Sequence, residues 1–208
     1  MSGDTVQVIL IVLPILLVSI TVHELMHAWT AYKLGDDTAH AHGRISLNPM
    51  QHIDPFLTVG LPLLLAVTGA PIFGMAKPVQ VNFARLRWGE YGGAIVAMVG
   101  PLINLLIAIL AALVFRAISP SSTDLIYDIL GYTVVLNVGF FVFNSIPWPP
   151  LDGSRLLYAF APESVQNIME TIERMGLMGL VIFMLVFYQF ISPLVSNVTN
   201  ILINGLIN

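Results

Sequence analysis

The chain has 208 residues, is 57% hydrophobic and only 10% charged, and has a mean hydropathy of +0.86. Soluble domains carry about a quarter charged residues and lack the interior to hide this much apolar surface, so the composition excludes a soluble fold. A net charge of −4 without any basic run excludes a nucleic-acid partner, and the absence of cysteine excludes disulfides and thiolate metal sites, leaving His, Asp, Glu or Asn as metal donors.

A membrane-crossing helix needs about 20 predominantly apolar residues. The first such run extends from Val6 to Tyr32 and contains Pro14. It is preceded by no Lys or Arg and followed by no small-residue cleavage site, so it is expected to remain in the mature protein. Asp36 to Asp54 is polar and holds His40, His42 and His52. Within it Gly43–Asn48 reads as a short strand ended by Pro49, and Pro78–Asn82 reads as a second one. Phe56 to Phe73 is apolar but interrupted by Gly60, Pro62, Gly69 and Pro71. Tyr91–Phe115 and Leu125–Ile146 are strong spans, followed by the proline-rich turn Pro147 to Gly153. Ser164–Met175 predicts a short interfacial helix, Met175–Ile191 a shorter span closed by Pro193, and Leu194–Ile207 a further apolar helix. The expected architecture is an all-α polytopic membrane protein with about five transmembrane helices, a re-entrant segment and short membrane-surface strands. It forms one domain over 1–208, with its core in 8–160 and accessory C-terminal helices in 164–207.

The chemistry concentrates in His23-Glu24-Leu25-Met26-His27, at the end of the first span. Histidines four apart share one helical face, and both imidazoles can reach one Zn²⁺ at about 2.0–2.1 Å. The adjacent glutamate is suited to act as general base on a metal-activated water. The competing reading, a polar patch at a helix end, is weaker because ionisable residues within a membrane span are costly and usually functional. A third donor is required. The candidates are Asp152, His40, His42, His52, Asp54 and the asparagines. Asp152 directly follows a span and is held between prolines and Gly153, but an aspartate there equally suits the N-cap of a helix beginning at Ser154. His40 and His42 read as surface loop residues, with a second metal as the alternative. His52 and Asp54 read either as supports for a metal ligand or as turn-capping residues before Pro55. Asn104 and Asn137, inside spans, read as hydrogen-bonding links between helices.

Taken together, several segments resemble the site-2 protease family of intramembrane zinc metalloproteases, in its small prokaryotic branch. They are His23 to Trp29, Leu34-Gly35-Asp36, Gly43-Arg44-Ile45-Ser46-Leu47-Asn48-Pro49, His52-Ile53-Asp54-Pro55, Ala76-Lys77-Pro78-Val79, Gly100-Pro101-Leu102-Ile103-Asn104 and Asn144 to Gly153. The resemblance covers roughly residues 8 to 160. It implies one Zn²⁺ per chain held by His23, His27 and Asp152, Glu24 as catalytic base, and Asn144 near the substrate or oxyanion. It also implies cleavage of membrane-embedded segments of transmembrane protein or peptide substrates. The 208 residues contain no PDZ or CBS segment, so regulation by peptide or nucleotide binding is not expected. The rival function is a metal or proton transporter built on the same His, Glu and Asp residues. The oligomeric state is left open, homo-oligomers included.

A shared metal requires the ends of the first span and of Leu125–Ile146 to lie at one membrane depth. If Phe56–Phe73 is re-entrant, Lys33, Arg44, Lys77, Arg85, Arg87, Arg155 and Arg174 fall on one face and only Arg116 on the other. If it crosses, the split is five against three. The positive-inside rule favours the first. The expectation is therefore a multi-pass cell-membrane protein with its N-terminus outside, its active site toward the cytoplasm, and a re-entrant Phe56–Phe73, which is tolerated where protein buries it.

Overall fold

A computed structural model describes residues 3–60, 64, 67 and 76–207. Its helices are α1 (Gly3–Lys33), α2 (Thr38–Ala41), α3 (Glu90–Ile118), α4 (Leu125–Asn144), α5 (Gly153–Phe160), α6 (Glu163–Arg174) and α7 (Leu177–Ile207). The frame is α3. On one side Gly93, Ala97, Gly100, Asn104, Ala108 and Ala111 recur every three or four residues and are buried. On the other, Leu102, Leu106, Leu110 and Leu113 are exposed. In lipid, Leu gains nothing by leaving the acyl chains, whereas small residues let helix backbones approach and pack. The small-residue stripe therefore faces α1 and α4, and the leucines face outward.

The contacts fix the helix directions. His27 of α1 meets Val96 near the start of α3, while Ser19, two turns earlier, faces Asn104 further on. These two helices therefore run antiparallel. At the other end Phe115 of α3 lies against Tyr127 of α4, 5.2 Å between ring centroids, and Asn104 reaches Asn137, so α3 and α4 are also antiparallel. Lys33, Glu90 and Asn144 consequently share one end of the bundle. The second core, Ala108, Ala111, Ala112, Val134 and Val138, lies toward the other end, where Val195, Leu202 and Leu206 of α7 pack on it.

Four helical segments among the described residues are long and apolar enough to cross a membrane: Leu10–Lys33, Glu90–Ile118, Leu125–Asn144 and Gln189–Ile207. The two C-terminal pieces expected on either side of Pro193 are one helix, α7, with Pro193 inside it. A proline removes one backbone hydrogen bond, but a break in hydrocarbon would leave several groups unsatisfied, so continuing the helix costs less. Its first half is a buttress. Leu180, Phe183 and Met184 bury Leu151, and Trp148 stacks on Phe183 at 4.9 Å, clamping the proline-rich turn.

No strand forms among the described residues. Three backbone groups of the two segments expected as strands are bonded elsewhere. Arg44 N–H closes a turn on Ala39 O at 2.9 Å, Ser46 O accepts from the His52 ring at 2.8 Å, and Asn82 N–H goes to the Asp36 carboxylate at 2.7 Å. None of these groups is left for a ladder. A wide π turn occupies Pro55–Gly60. Most of the expected re-entrant Phe56–Phe73 segment lies outside the described residues, but its two feet are adjacent, with Lys77 N–H donating to His52 O at 2.9 Å. The interfacial helix expected over Ser164–Met175 is α6, Glu163–Arg174, where Tyr158 donates to Glu170 at 2.7 Å. That bond, with some burial, raises the phenol to about 12.

Asp36 ties the connecting segments to the base of α1. It is fully buried and accepts from Thr38 N–H, the Thr38 hydroxyl and Asn82 N–H. Burial pushes its carboxyl up, but the Thr38 and Asn82 donors outweigh this and hold it below its ordinary value. A depressed folded pKa stabilises the protein above the unfolded value near 4, and that contribution is lost as pH falls through the folded pKa. Asp36→Asn turns an NH₂ toward an N–H or O–H donor. It should cost about 1–3 kcal/mol at pH 7, with the difference from wild type shrinking below about pH 4. Thermal unfolding in detergent across pH measures both.

Candidate metal centre

Helix α1 carries the two histidines one turn apart, and the clamped turn after α4 brings Asp152 to them. His23 Nε2 lies 3.1 Å and His27 Nε2 3.4 Å from Asp152 Oδ2, and the two Nε2 atoms are 3.0 Å apart. Among the described residues this is the one group of three or more His, Asp or Glu side chains able to share a metal ion. Asp152 occupies the N-cap position of α5 but makes no side-chain cap bond. Of the two readings open in the sequence, its carboxylate follows the one that faces the histidines.

The ring protons are accounted for. His27 Nδ1 lies 2.7 Å from Val96 O, a carbonyl that can only accept, so Nδ1 carries the proton. His23 Nδ1 lies 2.5 Å from Asn104 Oδ1, and the direction of that bond is fixed from further away. Thr133 O accepts from Asn137 Nδ2 at 2.9 Å. Asn137 Oδ1 must then accept from Asn104 Nδ2 at 2.8 Å, leaving Asn104 Oδ1 as an acceptor for His23. Ser19 closes the relay at 2.9 Å from Asn137 Nδ2, and all three relay residues are buried. With Nδ1 carrying the proton, both Nε2 atoms turn toward each other and toward a carboxylate oxygen, so that the neutral forms of the rings would offer their lone pairs at one point. Three such donors so close together suit a shared metal ion. Donors bound to a tetrahedral ion at 2.0–2.1 Å lie about 3.3 Å from one another, and the observed edges of 3.0, 3.1 and 3.4 Å suit zinc.

Helix α3 makes room for this centre. A Cβ on Gly100 would lie 2.4 Å from His27 Nε2 and 2.8 Å from His23 Cε1, so only glycine admits both rings. Pro101 has no N–H for Ala97 O and opens that turn, beside the Val96 carbonyl that His27 takes. Gly153 is equally constrained, since a Cβ there would meet Ser145 O at 2.3 Å. Glycine lets the turn carrying Asp152 lie flat on the end of α4.

Glu24 is buried beside the histidines and lines, with them and Asp152, a cavity of about 450 Å³. Ile20, Phe140, Phe143, Val79 and Val81 supply its apolar wall. Asn144 also lines it, with Nδ2 donating to Phe140 O at 3.0 Å. The remaining sequence candidates lie elsewhere. His40 and His42 are exposed, His40 against Tyr32 and His42 on Thr38 O. His52 bonds Ser46 O rather than a ligand. Asp54 caps the π turn through Phe56 and Leu57 N–H. Gly100, Asn104, Asn137 and Ser19 as parts of the site were not distinguishable in the sequence from residues that merely pack or link helices.

A bundle of apolar helices enclosing a His-His-Asp cluster with a buried glutamate is compatible with a membrane-embedded zinc enzyme. Two relatives agree with this. The chain is 37% identical over 191 residues to a Bacillus subtilis protein named "Putative zinc metalloprotease YwhC", covering 88% of this chain and 81% of that one. It is 29% identical over 191 residues to the Mycolicibacterium smegmatis "Putative zinc metalloprotease Rip2", covering 88% and 72% respectively. No family model and no solved structure matches. The chain belongs to the site-2 protease family and is a zinc metalloprotease.

Ring orientation carries a measurable share of metal affinity. Asn104→Ala, which frees His23 Nδ1, should weaken zinc binding about 10- to 100-fold. Gly100→Ala, which drives a methyl into both rings, should weaken it at least as much. Competition with a chromophoric chelator gives both values, and helicity by circular dichroism should stay near wild type in Asn104→Ala.

Proposed function

We propose that the chain is an intramembrane protease that hydrolyses peptide bonds in or near transmembrane segments of membrane proteins. The observation that carries this is the burial of Glu24, His23 and His27 inside a helix whose Leu10, Leu13 and Val18 face outward. A metal centre set among lipid-facing helices meets its substrate there. His23, His27 and Asp152 would hold the ion. Zinc, when bound, supplies Lewis acidity that brings a water's pKa toward about 7. Glu24 removes a proton from the attacking water and returns it to the departing amide nitrogen. The Asn144 amide has a second N–H beyond the one given to Phe140 O, and this is suited to the oxyanion that forms at the scissile carbonyl. The apolar wall accepts an unwound stretch of substrate, with Val79 and Val81 turned into the cavity.

The charge distribution supports the orientation. Lys33, Arg44, Lys77, Arg85 and Arg87 belong to the segment between α1 and α3, whose two ends meet where Arg87 N–H donates to Leu34 O at 2.8 Å. Arg155 lies over the Phe83 ring, 4.0 Å from its centroid, and Arg174 follows on α6. Arg116 closes α3 at the far end. By the positive-inside rule the metal end faces the cytoplasm and the N-terminus the outside. We read 1–208 as one domain in the cell membrane, with 8–160 as its core and α7 holding the turn that carries Asp152.

Two experiments test this. Glu24→Gln should retain about one zinc per chain and lose cleavage of a membrane-reconstituted substrate by at least about 10³-fold. Full activity with zinc bound would refute the mechanism, and zinc flux without hydrolysis in the wild type would favour the transporter. For the orientation, a cysteine at Asn82 should resist an impermeant thiol reagent in sealed cells and react once they are opened.

A further inference from the structure

Arg44 stands on the loop after α2 and is only 6% exposed. Its guanidinium donates through one nitrogen to Gln51 O and through the other to Lys77 O. Among the described residues it has no carboxylate in ion-pair contact. Burial pushes the guanidinium down from its ordinary value, opposed by the charge of Glu24. A buried cation without an ion-pair partner is a poor way to gain stability, so its use has to be sought in what it holds. Gln51 and Lys77 flank the two feet of the 53–76 segment, which meet again where Lys77 N–H reaches His52 O at 2.9 Å. Arg44 itself is grounded on α1: its N–H bonds Ala39 O in α2, and Asp36, which binds Thr38 of α2, donates its own N–H to Ala31 O of α1 at 3.0 Å. The stretch that begins at Lys77 ends at Asn82, whose N–H is held by the same Asp36. The strap Lys77–Asn82 is therefore fastened at both ends to the helix that carries His23, Glu24 and His27. Between the fastenings, Pro78, Val79 and Val81 line the cavity those residues share.

We propose that Arg44 is a positioning residue of the protease, a clasp that ties Gln51 to Lys77 and thereby fixes the Lys77–Asn82 wall of the catalytic cavity. Arginine is required because a planar fork can serve two carbonyls at once, whereas lysine offers a single charged point. Arg44 touches no residue of the metal cluster, so its effect runs through the wall, and Arg44→Lys, which keeps the positive charge that Glu24 feels, separates this route from electrostatics. This rests on the reading of Glu24 and the His-His-Asp cluster as the catalytic centre, and the test separates the two.

Arg44→Lys and Arg44→Gln are compared with wild type and with Arg85→Gln, which breaks only the exposed pair with Asp37. Zinc content, amide hydrogen exchange, and kcat and KM on a reconstituted transmembrane peptide are measured for each. Both Arg44 variants should keep about one zinc. Their exchange should rise about tenfold or more over Lys77–Asn82 but not in α3, and kcat should fall about 10- to 100-fold with KM within about threefold. Arg85→Gln should match wild type. Wild-type exchange and kcat in Arg44→Lys would overturn the proposal. So would a general rise in exchange with zinc lost in both variants, because Arg44 would then serve stability alone. If the wild type cleaves nothing, the functional reading fails, while the local exchange result still decides whether Arg44 is the clasp.

Discussion

Two imidazole nitrogens and a carboxylate oxygen converge on one point, and the rest of the molecule is arranged around that convergence. With the rings in their neutral forms, nitrogens 3.0 Å apart and an oxygen 3.1 and 3.4 Å from them repel one another unless a cation sits among them. In a soluble protein, water would relieve the repulsion by entering or by letting the rings turn away. Here the rings are buried and their far nitrogens are held by Val96 O and Asn104 Oδ1, so they cannot turn. Rigidity that would be costly without an ion becomes pre-organisation with one.

That rigidity is supplied by the helix that contributes no ligand. Helix α3 gives a gap at Gly100, a freed turn at Pro101 and an amide at Asn104, all within five consecutive residues. Gly100 leaves space for both rings, and Asn104 takes the Nδ1 of His23. The orientation of the Asn104 amide is set by the carbonyl of Thr133 on α4, so the tautomer of His23 depends on a third helix. Helix α1, which carries the histidines, and the turn after α4, which carries Asp152, are both referenced to α3. Helix α7 performs the same service for Asp152 from outside, through Leu180, Phe183 and Met184 on the turn that bears it.

How much of this was legible in the sequence follows from what kind of signal each part leaves. The spans are written in composition, and α1, α3 and α4 are found within a few residues of their expected limits. The His-x-x-x-His spacing is a local geometric statement, so His23, His27 and Glu24 could be read directly. Asp152 was ambiguous because an aspartate before a helix caps it as often as it binds anything. Only the third dimension shows that its side chain makes no cap. Asn104 and Asn137 were read as glue between helices, which is true but incomplete, since the same bonds orient a ligand. The two strands were misread for a related reason. Alternation signals an extended chain, but a ladder also requires a second strand in register, and instead Asp36, His52 and α2 each hold one backbone group of these segments. Pro193 was given too much weight because, in lipid, the cost of breaking a helix exceeds that of one missing hydrogen bond.

Under the proposed function, the position of the centre reconciles two demands that pull in opposite directions. Peptide hydrolysis needs water and a charged base, while a transmembrane substrate is found only among apolar side chains. A site at mid-membrane would satisfy the second and starve the first. A site on the surface would reverse that. The structure puts the histidines in the last third of α1, about two turns before Lys33 and the polar segment that follows. The turn after α4 meets them at that level. The cavity accordingly has a polar pole of Glu24, His23, His27 and Asp152 and an apolar wall that includes Ile20, Phe140 and Phe143, and it reaches Arg155 and Glu173 at the charged end of the bundle. Because Lys33, Glu90 and Asn144 share that end, the segment between α1 and α3 must leave and return there. Its feet at His52 and Lys77 are joined by a hydrogen bond. The chain therefore leaves and returns at the end of the bundle that carries the His-His-Asp cluster.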